Sequence, residues 1–202
     1  VQEPACEFVS RGGLKLHHAL EQFHLDVRGL RCADFGANVG GFTDCLLRSG
    51  ALHVTAIDTG YGTLAWTLRN DRRVRVMERT NALHATPSES ELVDLVVIDM
   101  GWTPQRLCVP AALKWLKPGG RIITLIKPHY ETTPDEKPLL KNGVLGEPDA
   151  ERIAQRVIAE MPAHHAEVLA LTRSPIIGGA KKGNTHGNHE WLALLRPASP
   201  AG

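Results

Sequence analysis

Along residues 14–23, "LKLHHALEQF", the apolar positions Leu16, Ala19, Leu20 and Phe23 recur at helical spacing and predict an amphipathic helix. Beyond it, short apolar runs alternate with helix-like ones. "LRCADF" is followed by "GFTDCLLRSG", and "HVTAID" by "GTLAWTLRN". "RVRVM" leads through a polar connection over 79–91 to "VDLVVIDM". "PQRLCVPAALKWLKPGG" predicts a helix with proline at its start and glycine past its end, and "RIITLIKP" a further buried strand. This alternation implies an α/β fold built on a doubly wound, mainly parallel sheet.

The pattern changes after Pro128. Residues 129–148 carry prolines, glycines and charges without a period and predict a loop or lid, with a helix following at about 149–161. "HAEVLALTR" and "EWLALLRP" then flank the loop "SPIIGGAKKGNTHGNH" with no helix between them. They predict an antiparallel pair at the sheet edge. A chain of 202 residues suits one such domain, expected over 11–197, with an extension at 1–10 and a tail at 198–202.

Composition excludes some classes of function. No apolar run approaches the ~20 residues of a membrane-spanning helix, and no signal-peptide pattern opens the chain. Cys6, Cys32, Cys45 and Cys108 have no C-x-x-C spacing, so buried free thiols are expected rather than a disulfide or a metal site. Together these point to the cytoplasm. The net charge of +1 does not mark the whole chain as nucleic-acid-binding. Its distribution is uneven, however. Arg69, Arg72, Arg73, Arg75 and Arg79 face only Asp71 and Glu78 over residues 69–79, and Lys181 and Lys182 stand in a glycine-rich loop. Both are candidate phosphate contacts, although charge alone reads more simply as solvated surface.

The candidate chemistry begins at "CADFGANVGGFTDCLL", residues 32–47. A strand ending in Asp34 passes through Gly36, Gly40 and Gly41 into a helix, a turn that lets backbone approach a ligand closely. The spacing is G-x-x-x-G-G, wider than the dinucleotide fingerprint, and suits a ligand without a pyrophosphate. Asp58 ends the next strand, where a carboxylate can accept the two hydroxyls of a ribose. This combination favours S-adenosylmethionine over a dinucleotide. Methyl transfer needs alignment of the nucleophile and, for a hydroxyl, removal of its proton. Asp99 and Lys127 end two buried strands, and each alone reads equally as half of a structural salt bridge. Glu190 opens the last strand. If that strand is antiparallel, its beginning shares an edge with the ends of the parallel ones. Lys15 by itself reads as an exposed lysine on an amphipathic helix.

Taken in order from about residue 8 to 195, "VSRGGLKLHHAL", "DFGANVGGFTDCLLRSGA", "IDTGYGTLAWTLRNDRRV", "ERTN", "DLVVIDM", "LIKPHYE" and "GNHEWL" resemble the TlyA (hemolysin-like) branch of FtsJ-type ribose 2′-O-methyltransferases. The resemblance implies a class I, Rossmann-like, S-adenosylmethionine-dependent fold acting on RNA, with ribosomal RNA as the expected substrate. It implies a catalytic tetrad of Lys15, Asp99, Lys127 and Glu190. In such a group a second lysine and partial burial lower the pKa of an amine, which makes Lys127 the expected acceptor of the hydroxyl proton. Cofactor contacts would fall on Asp34, Gly36, Asn38, Gly40, Gly41, Phe42, Asp58, Asn81 and Asp99. A small-molecule methyltransferase and a non-catalytic RNA-binding or membrane-active protein are the alternatives. Four features depart from the family. "MGWTPQ" stands after Asp99 in place of a serine–phenylalanine pair, and Asn38 replaces a small hydroxyl residue. The loop before Glu190 is longer than usual and holds Gly-Asn pairs at 183–184 and 187–188. Only nine residues precede "SRGG", so the small RNA-binding domain usual there is not expected in this chain.

Overall fold

The computed structural model describes residues 7–179 and 187–198. Seven strands form one sheet: β1 (Arg31–Phe35), β2 (His53–Ile57), β3 (Val74–Met77), β4 (Val93–Ile98), β5 (Leu116–Ile126), β6 (Ala166–Arg173) and β7 (Trp191–Pro197). Their order is β3-β2-β1-β4-β5-β7-β6. β7 runs antiparallel between β5 and β6, and the remaining pairings are parallel. The chain winds outward from β1 to β3, then returns to pair β4 with the free side of β1. That reversal opens a crevice at the carboxyl edge, between β1 and β4, where doubly wound sheets bind ligands.

The helices are α1 (Gly12–Gln22), α2 (Gly41–Arg48), α3 (Trp66–Arg69), α4 (Gln105–Leu113) and α5 (Glu147–Glu160). Period-two alternation in the strands feeds both faces of the sheet. Leu95, Val97, Ile123 and Leu125 pack with Leu16, Leu20, Phe42 and Leu46 of α1 and α2. Val96, Ile98, Ile122 and Ile126 pack with Val109, Ile153 and Val157 of α4 and α5. Strands buried on both faces read as continuous apolar runs, which is how β4 and β5 appear in the sequence.

Two expected boundaries are corrected. The helix expected to run to the glycines at 119–120 ends at Leu113. Trp115 is drawn into the core, edge-on to Phe35 at 5.7 Å, with its indole N–H donating to the Ala85 carbonyl at 3.1 Å. β5 therefore starts at Leu116, opposite Val93. The helix read in "GTLAWTLRN" shrinks to the single turn of α3, because Ala65 N–H is committed to the Val39 carbonyl. Residues before 11 also pack against the sheet layer. Phe8 is buried, and Val9 N–H donates to Asp44 Oδ2 at 2.9 Å.

The segment 129–148 is a loop with short 3-10 turns, fastened to α5 through Glu136 with Arg152 and Arg156 and by burial of Leu145. Cys32, Cys45 and Cys108 are free and buried, and burial pushes each thiol up to about 12. Cys6, Lys181 and Lys182 lie outside the described residues.

Candidate active site

A cavity of about 690 Å³ opens over the β1/β4 crevice. Its floor is the glycine turn. Gly36 (φ +85°) and Ala37 both donate their N–H to the Ile57 carbonyl, at 2.9 and 3.1 Å. A Cβ on Gly36 would stand 2.9 Å from the Asp99 carbonyl oxygen, so only glycine lets this turn press against the end of β4. Asn38 follows at φ +49°, the left-handed region that asparagine tolerates better than other non-glycine residues. Its N–H donates to Asp58 Oδ2 at 2.8 Å, while Asp58 Oδ1 accepts the Gly60 N–H at 2.7 Å. Two backbone donors thus aim the carboxylate, and each oxygen keeps a lone pair for a ribose hydroxyl.

Gly36, Asn38, Gly41, Phe42, Asp58, Asn81 and Asp99 all line this cavity. Asp34 and Gly40 do not, and both sit in packed positions beneath the turn. Asp34 is fully buried beneath the turn, and its Oδ2 accepts the Thr43 hydroxyl of α2 at 2.7 Å. Burial pushes its pKa up to about 7 against that hydrogen bond, with Asp99 and Asp58 adding to the rise. Gly40 packs under Leu64 and Leu68, where a Cβ would collide with both.

The opposite wall carries ionisable groups from four elements. Lys15 comes from α1, Asp99 follows β4, Lys127 follows β5, and Glu190 immediately precedes β7. Lys15 Nζ lies 2.5 Å from Glu190 Oε2, across 175 residues of sequence. Lys127 Nζ lies 2.5 Å from Asp99 Oδ1 and donates to the Met100 carbonyl at 3.2 Å. Lys15 is only 9% exposed, not the surface lysine its helix position implies. The two pairs balance in charge, which removes the cost of a net buried charge. Burial works to lower the Lys127 pKa, but Asp99 and then Glu190 outweigh it, and the net direction is upward. Burial raises Glu190, with Lys15 and Lys127 opposing.

Several wall residues carry no signal in the periodicity of the sequence. Trp102 is 86% exposed at φ +60°, a strained conformation for a bulky residue, with its ring 4.9 Å from that of Tyr130. Tyr130 in turn lies 4.1 Å from His129, whose pKa burial and the neighbouring lysines lower to about 4. The imidazole is therefore neutral at physiological pH. The departure "MGWTPQ" was the one available pointer to Trp102.

The arginine run of 69–79 is largely spent within the fold. Arg69 pairs with Glu78, Arg73 with Asp71, and Arg75 with Glu91. Arg79 stacks on Tyr61 at 4.2 Å, and Arg72 stands exposed beside Asp71.

A doubly wound sheet with a glycine turn at the switch point and an aimed acid after the next strand defines the class I fold of S-adenosylmethionine-dependent methyltransferases. The residues fit that cofactor: a close-approach turn, an oriented carboxylate for a ribose, and the apolar Phe42 face. Residues 8–182 match the FtsJ-like methyltransferase family, and the chain belongs to that family. It is 40% identical over 194 residues to the 16S/23S rRNA (cytidine-2′-O)-methyltransferase TlyA of Mycobacterium tuberculosis, covering 94% of this chain and 68% of that protein. It is 38% identical over 191 residues to YqxC of Bacillus subtilis, provisionally named an rRNA methyltransferase, covering 93% of this chain and 65% of that one. The chain thus spans about two thirds of the length of these curated relatives. A solved structure provisionally titled a hemolysin, from Streptococcus thermophilus, superposes with a TM-score of 0.88 at 38% identity, over 98% of this chain and 70% of that one. Among the described residues, no helix is long and apolar enough to cross a membrane.

Proposed function

We propose that this chain methylates a ribose 2′-hydroxyl of ribosomal RNA, with Lys15, Asp99, Lys127 and Glu190 as the reacting group. The observation that carries this reading is the meeting of two ion pairs from four distant elements on a wall facing the glycine turn and Asp58. When bound, S-adenosylmethionine supplies an electrophilic methyl on a sulfonium, whose positive charge favours a neutral amine nearby.

Asp99 and Glu190 hold Lys127 as an ammonium in the resting site, so it must first release a proton; as the free amine it then takes the hydroxyl proton as the methyl group passes from sulfur to oxygen. The resulting ammonium is stabilised by Asp99 at 2.5 Å and by the Met100 carbonyl, and then loses its proton to solvent. Lys15 and Glu190 keep the cluster neutral overall and fix its geometry. A phosphate-rich substrate suits two lysines at the cavity, and the exposed ring of Trp102 over Tyr130 offers a base a stacking face. Arg72 and the Arg79–Tyr61 pair are the remaining candidates for phosphate contact on their surface. The relative named as an rRNA 2′-O-methyltransferase supports the RNA substrate over a small molecule.

The test is transfer of labelled methyl from S-adenosylmethionine to total RNA against a metabolite extract. Label in RNA that survives base removal and appears as 2′-O-methylnucleoside is the expected result. Label confined to metabolites, or to nucleobases, overturns the proposal.

A further inference from the structure

Between the end of β6 and the start of β7 the chain makes a return loop, and its described parts pair across the gap. Ser174 N–H donates to the Glu190 carbonyl at 2.9 Å, and Gly178 and Asn188 exchange two backbone hydrogen bonds, each 2.9 Å. The Asn188 side chain is buried and satisfied on both sides. Its Oδ1 accepts the Leu145 N–H at 3.0 Å, and its Nδ2 donates to the Gly143 carbonyl at 2.9 Å. These bonds tie the loop to the turn that leads into α5.

Gly178 lies against the carboxyl group of Glu190. A Cβ at position 178 would stand 2.0 Å from Glu190 Oε1 and 2.4 Å from its Cδ. The obstructing atoms are the end of a flexible side chain, so the fold can absorb an added methyl. The carboxylate must then retreat by about 1 Å or more to regain van der Waals separation. Glu190 is 3% exposed, and its other side is occupied by Lys15 Nζ at 2.5 Å. A small displacement therefore falls on that ion pair. Ile176, Ile177, Gly178 and Gly179 also line the cavity, so this loop and the reacting group share one wall.

We propose that Gly178 and Asn188 are positioning residues: the bare backbone of Gly178 is the surface on which Glu190 lies, and Asn188 anchors that surface to the Gly143–Leu145 turn so that Glu190 meets Lys15. The inference rests on the function proposed above for that cluster. It assigns the geometry of Glu190 to the loop as well as to β7.

The experiment compares the full chain with Gly178→Ala and Asn188→Ala, each also combined with Glu190→Ala. In the wild-type background, Gly178→Ala is expected to lower kcat about a hundredfold. Asn188→Ala is expected to lower it about tenfold. Binding of S-adenosylhomocysteine, read by calorimetry, should stay within about threefold of wild type. In the Glu190→Ala background each substitution should add less than about a further twofold, because its effect passes through the missing carboxylate. Equal losses in both backgrounds overturn the proposal. A crystal structure of Gly178→Ala provides a readout independent of turnover. The Lys15–Glu190 pair opened beyond about 4 Å supports the proposal, and an intact pair overturns it, whether or not the wild type methylates RNA.

Discussion

The two walls of the cavity are built by different means. The wall proposed for the cofactor is mostly local: Gly36, Asn38, Gly41, Phe42 and Asp58 lie within 23 consecutive residues, with Asn81 and Asp99 further on. It works mainly through backbone, namely a glycine turn against β4 and N–H groups aiming one carboxylate. The ionic wall is assembled at long range from α1, β4, β5 and the approach to β7, and presents charged side chains that backbone at Met100 and Gly178 helps to position. The glycine turn is held by backbone donors to the neighbouring strand, at the Ile57 carbonyl and Asp58, and so depends on few side chains. A side-chain cluster depends on every element that brings a member to it. The first wall should therefore fail by losing affinity, and the second by losing rate.

The largest expected effect tests the ionic wall. Lys127→Ala should reduce methyl transfer by roughly a thousandfold or more, within the range of a lost general base, while S-adenosylhomocysteine binding stays within about threefold. Full turnover in this variant would remove Lys127 from the mechanism. A large loss of cofactor affinity would erase the separation between the two walls.

The next effect tests the cofactor wall. Asp58→Ala should weaken cofactor binding about 10- to 100-fold, or roughly 1.4–2.7 kcal/mol, with kcat at saturating cofactor changed far less. Calorimetry with S-adenosylhomocysteine reads the first quantity and saturating kinetics the second. A fall in kcat with unchanged affinity would invert the assignment.

The remaining effect concerns two acids whose carboxyl groups burial raises, half-buried Glu131 beside α4 and Asp34 beneath the glycine turn. Burial raises Glu131 to about 7, although its Oε1 accepts the Gln105 N–H at the start of α4 at 2.8 Å. A folded-state pKa above the unfolded value means the stability linked to this group is fully present below about 4.5. It is lost as pH rises through about 7. Asp34, beneath the glycine turn, has the same sign. Urea unfolding of wild type should show stability falling between pH 5 and 8. Glu131→Gln keeps the acceptor and should flatten that slope by at most about 3 kcal/mol, leaving the part due to Asp34. An unchanged slope in Glu131→Gln would show that its carboxyl does not titrate in this range.

The difference between the walls also governs what was legible in the sequence. Apolar periodicity predicts the doubly wound sheet and the antiparallel final pair, because strands buried on two faces leave continuous apolar runs. It misplaces the end of α4, because the pull of Trp115 into the core is a tertiary contact that no window of sequence contains. The glycine turn is visible as a spacing, but the spacing does not show that Asp34 and Gly40 are packed beneath it. A residue's side of the turn depends on packing beneath it. Lys15 reads as surface from its helix pattern and is buried, because Glu190 arrives from the far end of the chain to neutralise it. The resemblance to a known family pointed to Lys15 where periodicity could not. The arginine run looks like a phosphate patch in one dimension. In three dimensions Glu78, Asp71 and Glu91 occupy most of it.

The sequence by itself determined the fold class, the glycine turn, the placing of Asp58 at a strand end and the identity of the groups available for chemistry. These rest on local backbone preferences and on the two periodicities that burial imposes. Only the tertiary structure decided which charges meet, which glycine clears room for Glu190, and why asparagine stands at 38. Those outcomes are set by distances of a few ångströms between segments far apart in the chain, and a linear pattern does not encode such distances.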